Sequence, residues 1–246
     1  MTNRMLAALA LAALGAAGVV ANGQHGTARV SSAPSSTATA AHPGVVELFQ
    51  SQGCSSCPPA NANANALADR KDLIVLNYGV TIWDQLGWKD SFASPAFTAR
   101  HRDYAAKVAH SNRVYTPQTF INGRITVIGS DRAELSRTIA RQGGAKGGPE
   151  IALTDTKASL SGPSGKGATI WLVRFDPKVR QVAIRAGENS GRTLPHRNVV
   201  RQMIRLGTYG GAAARYSLPA ASERGLSSAI LVQQGVGGPI LSARRS

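Results

Sequence analysis

The two cysteines of the chain, Cys54 and Cys57, form a Cys-x-x-Cys motif that directly follows a predicted strand and opens a predicted helix. The N-terminus of a helix carries unpaired N–H groups and about half a positive charge. A thiolate at Cys54 is therefore expected to be more stable than that of an ordinary cysteine. Cys57 lies three residues later, close enough to close a small disulfide.

Three kinds of chemistry fit this pair. A redox-active dithiol is the first, and it needs no dissociable cofactor because thiol–disulfide exchange passes through a mixed disulfide. A structural disulfide is the second, although so short a loop would constrain the unfolded chain little. A metal site is the third, and Cu(I) would suit the two thiolates best. The only candidate additional ligands are His101, His110, His196 and Met203, and none has a characteristic ligand spacing to the pair. We favour the redox dithiol, with no bound metal.

Thr116-Pro117 lies at the head of a strand predicted from Val114 to Ile121, and proline is disfavoured inside a sheet. The alternatives are a trans proline at a sheet edge and a cis proline beside the dithiol. We favour the cis proline, which leaves the Thr116 backbone free to pair with an extended substrate. The segment 83–94 is either a packed loop that covers the sheet or a wall of the dithiol site. In the second case Trp83 would contact a bound peptide, and Lys89 would attract negatively charged substrates. Thr116, Pro117, Trp83 and Lys89 are thus the predicted substrate-positioning residues.

A second polar cluster, Glu188, Asn189 and Arg192, follows a predicted strand. We interpret it as a turn held by an Arg–carboxylate pair and not as a second active site.

The chain from Val45 to Gln142 reads as β-α-β-α-β-β-α. Leu73 to Tyr78 is a continuous apolar run, which is typical of a strand buried on both faces. Ser94-Pro95 is a strong helix start, and Asn122-Gly123 predicts a hairpin. The alternation from Asn61 to Ala66 has the period of a strand, but alanine favours a helix, and we predict a helix there.

After Gly144 the pattern becomes short strands separated by turns, which favours a small β-sandwich. Five strands are predicted. The apolar residues of segment 198–206 fit both the two-residue period of a strand and the 3.6-residue period of a helix. The expected domains are therefore residues 44–145, of α/β type, and residues 146–246, rich in β-strands. The predicted strands are Glu150–Leu153, Thr169–Val173, Gln181–Ile184, Ser228–Val232 and Pro239–Leu241.

The first 21 residues have the pattern of an export signal: Arg4, then an apolar run, then small residues up to Ala21. Residues 22–43 are rich in Ser, Ala and Thr and are expected to be a flexible linker. We therefore expect a periplasmic or secreted protein whose signal is cleaved, or else retained as an anchor. No other segment is apolar enough to cross a membrane.

The chain has 246 residues and a net charge of +15, from 28 Lys and Arg against 13 Asp and Glu. The basic residues are scattered and form no run of five, so no specific binding to nucleic acid is expected. The oligomeric state has no signal in the sequence.

Several motifs together resemble a family of exported bacterial thioredoxin-like proteins of unknown function. The longest is Glu47-Leu48-Phe49-x-Ser51-Gln52-Gly53-Cys54-Ser55-Ser56-Cys57-Pro58-Pro59-Ala60. Others are Trp83-Asp84-x-Leu86-Gly87-Trp88-Lys89-Asp90, Tyr115-Thr116-Pro117-Gln118 and Gly187-Glu188-Asn189-x-Gly191-Arg192-Thr193-Leu194. The resemblance spans about residues 45–243. It implies a thioredoxin-like domain followed by a β-rich C-terminal extension, and it implies no particular substrate.

The expected function is an exported thiol–disulfide oxidoreductase that acts on envelope proteins containing thiols or disulfides. Cys54 would attack and Cys57 would resolve. The alternatives are a redox-inactive thioredoxin-like binding module and a copper metallochaperone.

Overall fold

A computed structural model of the chain describes residues 37–163 and 167–246. The predicted signal peptide (1–21) and residues 22–36 of the predicted linker lie outside the described residues. Over the described ranges, none of the helices combines the length and the apolar character that a membrane crossing requires.

The first part of the described chain has the predicted β-α-β-α-β-β-α order, with a short 3-10 helix inserted before the second α-helix. Its elements are β1 (Gly44–Gln50), α1 (Pro58–Leu67), β2 (Leu73–Gly79), the 3-10 helix (Thr81–Leu86), α2 (Pro95–Lys107), β3 (Gln118–Ile121), β4 (Ile125–Val127) and α3 (Arg132–Gln142). Local signals position them: Ser94 caps α2 by accepting from the Ala96 N–H, and Asp131 caps α3.

The second part consists of strands, and the structure adds to those predicted. They are β5 (Glu150–Leu153), β6 (Lys157–Ser161), β7 (Ala168–Asp176), β8 (Arg180–Ala183), β9 (Thr193–His196), β10 (Val199–Tyr209), β11 (Ala214–Ser217), β12 (Ser227–Gln234) and β13 (Ile240–Arg245). Segment 198–206, whose apolar pattern fitted both a helix and a strand, lies mostly in the long strand β10. The strands β6, β9 and β11 were not predicted.

The fold is mixed α/β, built on a large central mixed sheet. Its eight strands lie in the order β13-β12-β7-β10-β2-β1-β3-β4. β1 and β2 are parallel, and β3 runs antiparallel to β1. The sheet crosses the boundary predicted between residues 145 and 146, because β10 runs parallel to β2 with Val199 opposite Asn77.

Three groups of buried side chains hold the layers together. On one face, α2 packs through Phe97 and Tyr104 onto strands of both parts of the chain. On the other face, α1 and α3 cover β1 and β2. A three-stranded sheet, β11-β6-β5, packs on β7 and β12. The small sheet therefore packs on strands of the central sheet, which is continuous with the first part of the chain.

A fully buried ion pair lies within the α2 layer. The Arg100 guanidinium donates to both carboxylate oxygens of Glu47, at 2.8 and 3.1 Å. It also donates to Gln233 of β12 at 3.1 Å, and Tyr104 donates to Glu47. Arg100 thus ties α2 to strands from both parts of the chain.

The alternating asparagines do form a helix, as predicted, and the structure explains their spacing. Asn61 and Asn65 lie four residues apart on one helical face, and both side chains donate to the Pro195 carbonyl, at 2.6 and 2.9 Å. Asn63 lies on another face and donates to the carbonyls of Gly129 and Ser130. The two-stranded β8–β9 hairpin is therefore held against α1.

Candidate functional site

Cys54 and Cys57 are joined as a disulfide in the loop between β1 and α1, with their Cα atoms 5.4 Å apart. Cys57 is the N-cap residue of α1, and Pro58 and Pro59 fill its first two positions. The two sulfur-bearing residues are 4% and 1% exposed, whereas Ser55 and Ser56 between them are exposed. The intervening serines are thus the part of the motif that faces solvent.

Thr116 and Pro117 lie beside this disulfide, and the peptide bond between them is cis. The Thr116 carbonyl oxygen is 3.6 Å from the Cys54 Sγ and accepts from the Ser56 hydroxyl at 3.3 Å. The prediction of a cis proline near Cys54 is confirmed. A main-chain segment therefore runs along the sulfur of Cys54.

Of the two residues predicted on the neighbouring loop, the structure brings one to the site. The Trp83 indole N–H donates to the Thr116 hydroxyl at 2.6 Å, so Trp83 braces the segment that borders Cys54. Lys89 is exposed and makes no hydrogen bond or ion pair with any described residue. Trp83 thus contacts the site through Thr116.

A buried carboxylate on this loop anchors the residues that lead into the motif. Asp90 accepts from the backbone N–H groups of Gln52 and Phe92, each at 2.7 Å. Burial raises the pKa of Asp90 to about 6, and the two N–H donors oppose that rise. The Trp88 indole donates to the Gln52 side chain at 2.9 Å. The position of Gln52 is thus set by residues 38 and 36 positions later in the chain.

The second part of the chain also contributes to the site, through the loop between β8 and β9. The Glu188 carboxylate accepts from the Ser55 backbone N–H at 2.9 Å. The buried Asn189 side chain donates to the carbonyls of Gln52 and Cys54, at 2.9 and 2.8 Å. Arg192 donates to Asn189 at 2.7 Å. The predicted Arg–carboxylate turn is therefore wrong: Arg192 holds the amide, and Glu188 binds the Cys-x-x-Cys loop.

The histidines considered as metal ligands lie in separate environments. His101 is stacked on Phe49 and its Nε2 is 2.7 Å from the Gln118 side-chain oxygen; burial lowers its pKa to about 4. His196 is buried against Phe92, and burial lowers its pKa to about 4. Among the described residues, no three His, Cys, Asp or Glu side chains are grouped as metal ligands would be.

We expect that Asn189→Ala weakens the attachment of the loop between β8 and β9 to the Cys-x-x-Cys loop. It leaves the buried Gln52 carbonyl without its side-chain donor and the Cys54 carbonyl with only the Cys57 N–H, which should cost about 1–3 kcal/mol of unfolding free energy. Urea denaturation of the oxidised protein measures the loss. Asn63→Ala is the matched control, because Asn63 also serves two loop carbonyls but is only half-buried. An equal or larger loss in the control would contradict the anchoring role of Asn189.

Comparison with known proteins gives structural relatives and a family. No curated protein matches the chain. The crystal structure of protein AGR_C_4864 from Agrobacterium tumefaciens is similar, with 28% identity, a TM-score of 0.68, and coverage of 82% of this chain and 92% of that chain. HBP35 of Porphyromonas gingivalis shares the fold at 13% identity, with a TM-score of 0.52 over 83% of this chain and 74% of that one. Residues 45–233 match the family model described as "Protein of unknown function (DUF1223)", and the chain belongs to that family.

Proposed function

We propose that the protein is an exported thiol–disulfide oxidoreductase, acting through Cys54 and Cys57 on envelope proteins that contain thiols or disulfides. The observation that carries this proposal is the Thr116 carbonyl, 3.6 Å from the Cys54 Sγ of the disulfide. A main-chain carbonyl at that position offers an extended partner segment a hydrogen-bond acceptor next to the reacting sulfur. The proposal includes a thioredoxin-like fold for residues 44–145, in keeping with the β-α-β-α-β-β-α order.

Exposed apolar side chains flank this segment and suit a polypeptide partner. Tyr115 precedes Thr116, Leu86 ends the 3-10 helix that carries Trp83, and each is 45% exposed. Isolated exposed apolar residues are common, but Tyr115 adjoins Thr116 and Leu86 lies three residues after Trp83. A partner segment along Thr116 would therefore meet apolar surface on its flanks.

The proposed exchange has two steps. In the reduced protein the Cys54 thiolate attacks one sulfur of a partner disulfide, forming a mixed disulfide and releasing a partner thiolate, which takes up a proton. Cys57 then loses its proton and attacks the Cys54 Sγ, which forms the Cys54–Cys57 bond and releases the second partner thiol. Cys54 is the attacking thiol because Ser56 places a hydroxyl 3.3 Å from its sulfur, whereas Cys57 is more deeply buried.

The proposed compartment rests on the export pattern of residues 1–21. Disulfides persist in the periplasm and outside the cell, and they are reduced in the cytosol. A disulfide between the only two cysteines of the chain is in keeping with the export expected from residues 1–21. We therefore place the protein in the periplasm or among secreted proteins.

We expect that Cys57→Ser, produced in the native cell, accumulates mixed disulfides with envelope proteins, because the resolving thiol is missing. Non-reducing gels followed by mass spectrometry of the trapped species measure this. Cys54→Ser is the matched control and should trap few partners. Trapping by neither variant, together with bound copper in the wild-type protein, would replace this proposal with a metallochaperone. Trapping by neither variant without copper would leave a redox-inactive binding module.

A further inference from the structure

A backbone N–H of the Cys-x-x-Cys loop donates a hydrogen bond to the carboxylate of Glu188. The Glu188 Oε2 lies 2.9 Å from the Ser55 nitrogen, and the backbone N–H and the hydroxyl of Ser55 lower the pKa of Glu188. Covalent geometry keeps the Ser55 nitrogen within about 5 Å of the Cys54 sulfur. The carboxylate charge is therefore within about 8 Å of the atom that must ionise.

This contact removes one of the groups that would otherwise stabilise a Cys54 thiolate. An N–H that donates to Glu188 is not free to donate to sulfur. Pro58 and Pro59 occupy the first two positions of α1, so two more of the usual N–H donors of a helix N-terminus are missing. The Ser56 hydroxyl lies 3.3 Å from both the Cys54 Sγ and the Thr116 carbonyl oxygen, and its single proton can be donated to only one of them.

None of the positively charged side chains near this loop bonds to it directly, among the residues that the structure describes. The carboxylate of Asp90 holds the Gln52 N–H, and Asp84 accepts from the Asp90 N–H. Arg192 reaches the loop only through the Asn189 amide, and Lys89 is exposed without a partner among the described residues. Glu188 is the only charged side chain in this set that bonds directly to the Cys54–Cys57 loop.

We propose, on the basis of the proposed function, that Glu188 is a positioning residue that opposes ionisation of Cys54 and poises the dithiol to donate electrons. A thiolate that is poorly stabilised makes the reduced form less stable relative to the disulfide, and such a pair reduces its partners. The substrates are then disulfides of exported proteins.

The electrons balance as follows. One partner disulfide is reduced to two thiols while Cys54 and Cys57 are oxidised to the disulfide seen in the structure, so two electrons and two protons pass to the partner. A second protein dithiol of the envelope must reduce the Cys54–Cys57 disulfide again, and it becomes a disulfide in turn.

The test is the pH dependence of Cys54 alkylation in the reduced full chain, measured by mass spectrometry with iodoacetamide. Glu188→Gln keeps an acceptor for the Ser55 N–H but removes the charge. We expect the midpoint to fall by about 0.4 pH unit, because Glu188 is exposed to water, and alkylation at pH 6.5 to become roughly twofold faster. The equilibrium with glutathione should shift towards the reduced protein. Glu150→Gln, which removes an exposed carboxylate on β5, should change neither quantity.

The outcomes separate this inference from the proposed function, because alkylation needs no partner protein. An unchanged midpoint in Glu188→Gln, alongside trapped partners in Cys57→Ser, would overturn the role of Glu188 and leave the oxidoreductase in place. A lowered midpoint without trapped partners would support the role of Glu188 and contradict the oxidoreductase. Equal shifts in Glu188→Gln and Glu150→Gln would reduce the effect to net charge and overturn the inference.

Discussion

Arg100→Met is expected to lower the free energy of unfolding by about 3–5 kcal/mol, because it leaves the Glu47 carboxylate buried without its counter-ion. Both side chains of the pair are at most 2% exposed, so water cannot replace the lost partner. The Gln233 side chain also loses its donor from Arg100. Urea denaturation followed by far-UV circular dichroism measures the loss.

Two further variants make this result specific to a buried pair. Arg70→Met breaks the ion pair with Asp72, in which the arginine side chain is 42% exposed, and should cost less than about 1 kcal/mol. The double variant Glu47→Leu/Arg100→Met removes both charges and should be more stable than Arg100→Met alone. A loss in Arg100→Met no greater than that in Arg70→Met would contradict the expected dependence on burial.

Lowering the pH from 7 to 4 is expected to destabilise the protein by about 3 kcal/mol through three buried groups. Burial lowers the pKa of His101 and of His196 to about 4, below the ordinary value of 6.5. The unfolded chain therefore binds protons first, and stability is lost as the pH falls from about 6.5 through 4. Asp90, whose pKa burial raises to about 6, acts in the opposite direction and offsets one histidine. Urea denaturation at half-unit steps of pH measures the net loss.

The variant His196→Leu tests the assignment of this pH dependence. Its unfolding free energy should change little between pH 7 and pH 4, because the remaining His101 and Asp90 then offset each other. His42→Gln removes an exposed histidine and should leave the slope of the wild-type protein unchanged. A slope in His196→Leu equal to that of the wild type would show that His196 does not carry the effect.

The elements that sequence reasoning predicted correctly are those whose signal lies within a few residues. Asn122 and Gly123 both have positive φ angles, as the predicted hairpin turn requires. Asp131 accepts from the N–H groups two and three residues later. Short strands with few large apolar residues escaped prediction, and β9 contains Pro195, which argues against a strand. The sequence of β10 fits both a helix and a strand, because its pairing with β7 and β2, and not a local pattern, makes it a strand.

The pairing of Cys54 with Cys57 and the cis bond of Thr116-Pro117 could be predicted because these residue types are characteristic in themselves. Glu188 and Asn189 were not assigned to this site, since they meet it across 133 to 137 positions of chain. No periodicity or spacing encodes such a contact. A signal was nonetheless present: the Gly187 to Leu194 motif belongs to the same resemblance as the Cys-x-x-Cys motif. Polar residues in a turn that also form part of a long shared motif are therefore candidates for contact with the Cys-x-x-Cys loop.

The attachment of the loop between β8 and β9 to the dithiol has a consequence for biosynthesis. Asn189 bonds to the Cys54 carbonyl across 135 residues, so the ribosome completes the two sides of this contact at different times. At about 5–20 residues per second the interval is on the order of 10 s. During that interval the nascent chain presents Cys54 and Cys57 without the carboxylate and amide that later hold their loop. Until residues 188 and 189 have been made, the Cys54–Cys57 loop therefore lacks the two side chains that bond to it in the folded chain.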